Sequence, residues 1–142
     1  KKVVPTALDT AGQPFSMEPE FLQKFDALME VTDLVILDLK EIEDDKHRAL
    51  TGKTNQNILQ MATYLSDHGK PMWIRHVLDP EGLKKTGAFI AGLRTVERVE
   101  ILPYHTLGLF KWEKLGIPYT LEGVRPPSEQ EKKQAEELLG MK

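Results

Sequence analysis

The sequence predicts an α/β chain in which four β-strands lie side by side in a parallel sheet, joined by helices. Three observations carry that reading. Short apolar runs rich in β-branched residues recur, the clearest being Leu34-Val-Ile-Leu-Asp-Leu-Lys40. Between them lie segments whose apolar residues repeat at the three- and four-residue spacing of one helix face. Strand and helix alternate at a spacing that suits right-handed crossovers, and four such units make half of an eight-stranded barrel.

Taken in order, Val3 to Leu8 is a strand running into the turn residues Asp9-Thr10-Ala11-Gly12, with Pro5 at an early or edge position. A helix follows from about Glu18 to Glu30, with Pro19 in its first turn and Phe21, Leu22, Phe25, Leu28 and Met29 on its apolar face. The strand Leu34 to Lys40 comes next. Asp44 to Leu50 reads as a short helix closed by Gly52, its acidic start suited to the helix dipole. Thr54 or Asn55 is placed to cap a further helix that carries Ile58, Met61, Ala62 and Leu65 and stops at Gly69. Lys70 to Leu78 is a third strand, Leu83 to Leu93 a helix bearing Phe89, Ile90 and Leu93, and Val99 to His105 a fourth strand. Thr106 to Pro127 is irregular and reads as a packed loop or lid. Ser128-Glu-Gln-Glu131 then opens a last helix with a capping box, and Ala135, Leu138 and Leu139 form its apolar stripe.

The 142 residues suit a single domain, 1–142. A net charge of −3 offers no electrostatic footprint for nucleic acid. No apolar run approaches the ~18 residues of a membrane span. The start, Lys1-Lys2-Val-Val-Pro5, is not a signal peptide, so a soluble cytoplasmic protein is expected. Cysteine is absent, which excludes disulfides, cysteine nucleophiles and thiolate-held zinc or iron–sulfur clusters within this chain.

Each strand ends in polar groups: Asp9-Thr10, then Asp38 and Lys40, then Arg75-His76, then Tyr104-His105. In a parallel sheet these carboxyl ends share one rim, where α/β folds place ligands. Asp38 and Lys40, two apart, point to the same side. Alone they would be a salt bridge at a strand end. The mixture of Asp9, Asp38, Lys40, Arg75 and His105 suits a zwitterion, which can replace the Asp38–Lys40 pairing without leaving either charge bare. A transition-metal site is not expected, because the histidines lack ligand spacing and His47 and His68 fall on helices where exposure is the default.

The segments Val31-Thr-Asp-Leu-Val-Ile-Leu-Asp-Leu-Lys40, Trp73-Ile-Arg75, Val99-Glu-Ile-Leu-Pro-Tyr-His-Thr-Leu-Gly108, Lys111-Trp112 and Gly123-Val-Arg-Pro-Pro127 closely resemble the pyruvate formate-lyase activating enzyme family. These are radical S-adenosylmethionine (SAM) enzymes on a partial (β/α)6 barrel. The resemblance spans nearly the whole chain. It implies a parallel four-stranded half of that TIM-like barrel, the carboxyl-terminal part. In the family a 4Fe–4S cluster cleaves SAM reductively, and the resulting radical takes hydrogen from a glycine of the partner enzyme. The resemblance further implies that Lys40 and His105 contact SAM with Asp38 and the Leu39 backbone beside them, and that Arg75 faces the radical and substrate region. Asp9 and Asp38, with main-chain oxygens near Thr10 and Ile36, match a monovalent-cation site. Implied partners are a glycyl radical enzyme (pyruvate formate-lyase) and an electron donor such as flavodoxin.

The family's CxxxCxxC motif and Gly-Gly-Glu strand are not in these residues, and the loop Val77-Leu-Asp-Pro-Glu-Gly82 is shorter than the family's. The chain alone is therefore expected to be an inert fragment with part of the SAM and cation sites. Its open sheet edges suggest dimerisation or marginal stability. Two other readings stand beside this one. Lys40 could form a Schiff base in an aldolase-type enzyme, although neighbouring Asp38 favours the charged ammonium. Phe110, Trp112 and Tyr119 could dock a partner in a non-catalytic domain, although core packing is the more usual role for such residues.

Overall fold

The computed structural model describes residues 4–77, 82–102, 109–116, 118 and 128–139. In chain order the elements are β1 (Ala7–Thr10), α1 (Pro19–Glu30), β2 (Leu34–Asp38), α2 (Asp44–Thr51), α3 (Gln56–Asp67), β3 (Met72–Val77), α4 (Leu83–Ala91), β4 (Val96–Leu102), α5 (Leu109–Leu115) and α6 (Glu129–Leu138). The strands form one parallel sheet in the order β1-β2-β3-β4. Spatial order follows chain order without reversal. That is the barrel arrangement, whereas doubly wound sheets turn back at a switch point.

Alternation along the strands gives the sheet two different faces. Val35, Leu37, Met72, Ile74, His76, Val99 and Ile101 are buried on one of them. There they join Phe25 and Met29 of α1, Ile58, Met61, Ala62 and Leu65 of α3, and Ile90 of α4 in a single core. Ile36, Asp38, Trp73, Arg75 and Glu100 alternate with these and are only half-buried. The register sets Asp38 opposite Arg75, and Arg75 opposite Glu100. The polar row therefore runs across the sheet on the face away from the helices.

Several elements differ from the sequence expectation. β4 starts at Val96 rather than Val99, because Val96 and Arg98 pair with Met72 and Trp73 across a register shift. Leu109–Leu115 is a helix inside the segment read as a loop or lid. Its seven residues, flanked by Gly108 and Gly116, are too few for a helical period to stand out. Leu28, assigned to the apolar face of α1, is 43% exposed, and only Phe25 and Met29 of that helix are fully buried. Phe15, in the turn before α1, is a core residue instead. It packs edge-on against Phe21 and Phe25 at centroid distances of 5.6 and 5.2 Å.

The start of α3 is organised from α2. Asn55 occupies the N-cap position, but its side chain turns back to donate to the Glu41 and Ile42 carbonyls at 3.0 and 2.8 Å. Asp44 Oδ1 accepts from the Thr54 hydroxyl at 2.6 Å and from the Asn55 N–H at 2.9 Å, while Arg48 Nε donates to Asp44 Oδ2 at 2.7 Å. The Thr54 and Arg48 hydrogen bonds, then that of Asn55, hold the Asp44 carboxyl at about 2, against an ordinary value of 3.8. A depressed folded-state value contributes stability above the unfolded value and loses it as pH falls through the folded one. Urea midpoints of wild type and Asp44→Asn should therefore differ at neutral pH. The gap should close between about pH 4 and about pH 2, and one that persists at the acid end would refute this role for the charge.

Candidate functional site

Asp9, Asp38, Lys40 and Arg75 meet on the open face at the carboxyl ends of β1, β2 and β3. Arg75 lies in register beside Asp38 and donates from Nε to Asp38 Oδ1 at 2.8 Å. Its Nη2 reaches across β2 to Asp9 Oδ1 on β1. Lys40 Nζ donates to the other Asp38 oxygen, Oδ2, at 3.0 Å. Asp38 is thus shared by two cations and is the least exposed of the four, at 20%, against 23% for Arg75, 37% for Lys40 and 56% for Asp9. Burial works against the guanidinium's charge. The hydrogen bond and charge of Asp38, then those of Asp9, outweigh it and hold the Arg75 pKa above its ordinary value.

Beneath this row, Arg98 stacks over the Trp73 ring at 5.0 Å and its Nη2 lies 3.1 Å from Glu100 Oε1. Trp73 is one step earlier than Arg75 on the same face of β3.

The Leu39 peptide is pinned from both sides. Its N–H donates to the Arg75 carbonyl at 2.8 Å. Its carbonyl lies 2.7 Å from His76 Nδ1. A carbonyl only accepts, so Nδ1 must carry the proton. His76 is 1% exposed, and its Nε2 has no partner among the described residues. This clamp sets the backbone from which Lys40 projects.

The structure brings together Asp9, Asp38, Lys40 and Arg75 of the expected site. Leu39 and Ile36 lie on β2 or just beyond it, with Leu39 buried. The Thr10 hydroxyl accepts from the Gly12 N–H at 3.0 Å. His105 lies outside the described residues, as do Tyr104 and Tyr119. His76 does not share the rim with Arg75. Strand alternation turns it to the helix-covered face, a signal already present in the spacing.

His47 also departs from expectation. It is 1% exposed rather than solvated, and neither ring nitrogen has a partner among the described residues. It is the buried residue of α2, and burial lowers its pKa despite the opposing pull of Asp44 and Glu41. His68 is exposed as expected. Phe110, for which packing was the expected role, is 54% exposed.

Among the described residues no group of three or more His, Asp or Glu side chains is placed to hold a metal ion. No helix among them is long and apolar enough to cross a membrane. A shallow groove of about 340 Å³ lies along α3, lined by Met17, Leu59, Gln60, Thr63, Tyr64 and Asp67. It shares no residue with the charged rim.

Chemically, the rim holds two carboxylates and two basic side chains in matched pairs. It is neutral as it stands. A ligand bearing an ammonium and a carboxylate can enter by exchanging partners, whereas a ligand of one sign leaves a residual charge that the half-buried face must solvate.

No family model matches the chain. Sequence comparison finds the pyruvate formate-lyase-activating enzyme of Streptococcus mutans at 51% identity over 145 residues, covering 98% of this chain and 55% of that protein. The corresponding enzyme of Staphylococcus epidermidis is 50% identical over 138 residues, covering 93% of this chain and 55% of the relative. That of Listeria monocytogenes is 49% identical over 133 residues, covering 89% and 54%. Among solved structures, the crystal structure of a domain of pyruvate-formate lyase-activating enzyme from Bacteroides vulgatus superposes with a TM-score of 0.72. It is 24% identical and covers 96% of this chain and 76% of its own, a likeness of fold. The chain spans about half the length of the curated relatives it matches. Along nearly all of its own length, then, the chain is a homologue of the pyruvate formate-lyase-activating enzymes.

Proposed function

We propose that this chain forms the methionyl-binding rim of a glycyl-radical-enzyme activase, with SAM as its ligand and pyruvate formate-lyase as the target of the whole protein. The observation that carries the reading is the shared rim itself. Asp38 sits between Arg75 and Lys40 and Asp9 completes the row, a set of charges matched to an amino-acid headgroup. In this reading Lys40 and Arg75 receive the ligand carboxylate, Asp38 and Asp9 receive its ammonium, and the Leu39 peptide held by His76 keeps Lys40 aimed at the rim. His105, outside the described residues, is assigned a contact with the ligand by the family resemblance alone.

SAM, when bound, supplies the sulfonium whose reductive cleavage starts the radical chemistry of the activases. The residues present here do not fit the 4Fe–4S cluster, since the chain has no cysteine, and no step is assigned to it. An electron donor such as flavodoxin belongs, in this reading, to the whole protein. With iron and sulfide added, the chain should show no reductive SAM cleavage.

The decisive test is calorimetric titration of the chain with SAM and, in parallel, with 5′-methylthioadenosine, which keeps the nucleoside and lacks the zwitterion. SAM should bind and methylthioadenosine should bind at least about tenfold more weakly, the loss of roughly one hydrogen-bonded charge pair. Equal affinity for the two, or no affinity for either, would overturn the reading.

A further inference from the structure

We infer that Asn55, buried at the start of α3 and bonded to none of the four rim side chains, is a positioning residue for Lys40. The paired register of β2 stops at Asp38, so the sheet ladder does not fix the backbone beyond it. Lys40 sits in a stretch, residues 39–43, that belongs to neither strand nor helix. A lysine carries a flexible four-carbon stem, so its ammonium is well placed only if its backbone is. Here the carbonyls on both sides of Lys40 are held by side chains from other elements. On the amino side, His76 of β3 holds the Leu39 carbonyl at 2.7 Å. On the carboxyl side, Asn55 Nδ2 donates to the Glu41 carbonyl at 3.0 Å and to the Ile42 carbonyl at 2.8 Å.

Asn55 suits the task by its chemistry and its setting. An amide nitrogen has two hydrogens, one for each carbonyl, so a single side chain fixes two successive peptides. It is 1% exposed, so water does not take its place when it is removed. Asn55 is itself held, because Asp44 Oδ1 accepts its N–H at 2.9 Å. Glu41, 6% exposed, closes the stretch by accepting the Glu43 N–H at Oε1, 2.8 Å away. The backbone around Lys40 is thus fixed from the helix-covered side, while its ammonium meets Asp38 Oδ2 at 3.0 Å on the open side. Were that backbone loose, the ammonium would lose more conformational entropy on meeting Asp38 or a ligand carboxylate. The effect on ligand binding rests on the rim being the SAM site, whereas the placing of the ammonium does not.

The test compares wild type with Asn55→Ala by heteronuclear NMR of side-chain N–H groups and by calorimetric titration. The Lys40 ammonium signal, assigned by its loss in Lys40→Met, should be distinct in wild type and should merge with those of exposed lysines in Asn55→Ala. The Arg75 Nε–H signal, which reports on the same Asp38 from β3, should stay in place. SAM affinity should fall about tenfold while 5′-methylthioadenosine affinity is unchanged. In a Lys40→Met background, Asn55→Ala should have no further effect on SAM affinity. Should Asn55→Ala not fold, Asn55→Ser, which keeps one donor, takes its place with a smaller change in the same direction. A Lys40 signal that stays distinct in the variant, or is lost together with that of Arg75, would overturn the inference. An equal loss of SAM affinity with and without Lys40 would do the same. A wild type that does not bind SAM would sink the ligand reading, and the ammonium signal would then decide the role of Asn55 alone.

Discussion

Asp38→Ala is expected to abolish SAM binding by this chain and to destabilise it. Asp38 is the one acidic group that both cations share, with Arg75 on one oxygen and Lys40 on the other. Removing it leaves an ammonium and a guanidinium facing each other on a half-buried surface, so the loss exceeds that of an ordinary surface ion pair. At 20% exposure the cost is also well short of the fully buried case. An intermediate ~1–3 kcal/mol is expected, the range for a charged partner left unsatisfied but reachable by water. Asp38→Asn keeps the shape and one acceptor oxygen, and should lose less stability than the alanine variant while still binding SAM poorly. Urea denaturation and calorimetric titration check the two effects separately. An Asp38→Ala protein as stable as wild type and equally able to bind SAM would show that the rim network is incidental.

The rim was legible in the sequence because it depends on position alone. Strand ends in a parallel sheet fall on one side, and Asp38, Lys40 and Arg75 were each at such an end. The capping box was equally legible, since it needs only local spacing. Ser128 Oγ accepts from the Glu131 N–H at 3.3 Å, and Glu131 Oε2 from the Ser128 N–H at 2.8 Å. What could not be read were properties set by distant packing. His47 has no unusual neighbours in sequence, and its burial follows from the way α2 is seated against the rest of the fold. The first residues of β4, Val96-Glu-Arg98, include two charged side chains, and they become strand because β3 offers them a ladder. Phe15 lies in a segment with no periodicity, and a turn rather than a helix face delivers it to the core. His76 is the instructive miss, because period-two alternation already separated it from Arg75. Grouping residues by strand end, without asking which face each one takes, hid the clamp on Leu39.

The second large effect is expected where β1 turns toward α1. Gly12 has φ of 68°, the left-handed region where a side chain is strained. A Cβ there would lie 2.9 Å from Leu37 Cδ1 and 3.3 Å from Met61 Sδ. Gly12→Ala should therefore combine a backbone cost of ~1 kcal/mol with an overpacking cost of ~1–3 kcal/mol, because the fully buried Leu37 has little room to retreat. Leu37→Ala alone should cost ~2–5 kcal/mol through lost burial and the cavity it leaves. The two changes should not add. The space vacated by Leu37 is the space the new methyl needs, so the double variant should be more stable than the sum of the single effects by ~0.5–3 kcal/mol. The backbone strain at residue 12 persists in Gly12→Ala and in the double variant alike, and it limits the recovery. Urea-midpoint measurements on the four proteins of the cycle give the coupling directly. Strict additivity would mean that the turn and β2 do not press on each other, and that Asp38, next along β2, owes its position to the rim charges rather than to the core behind it.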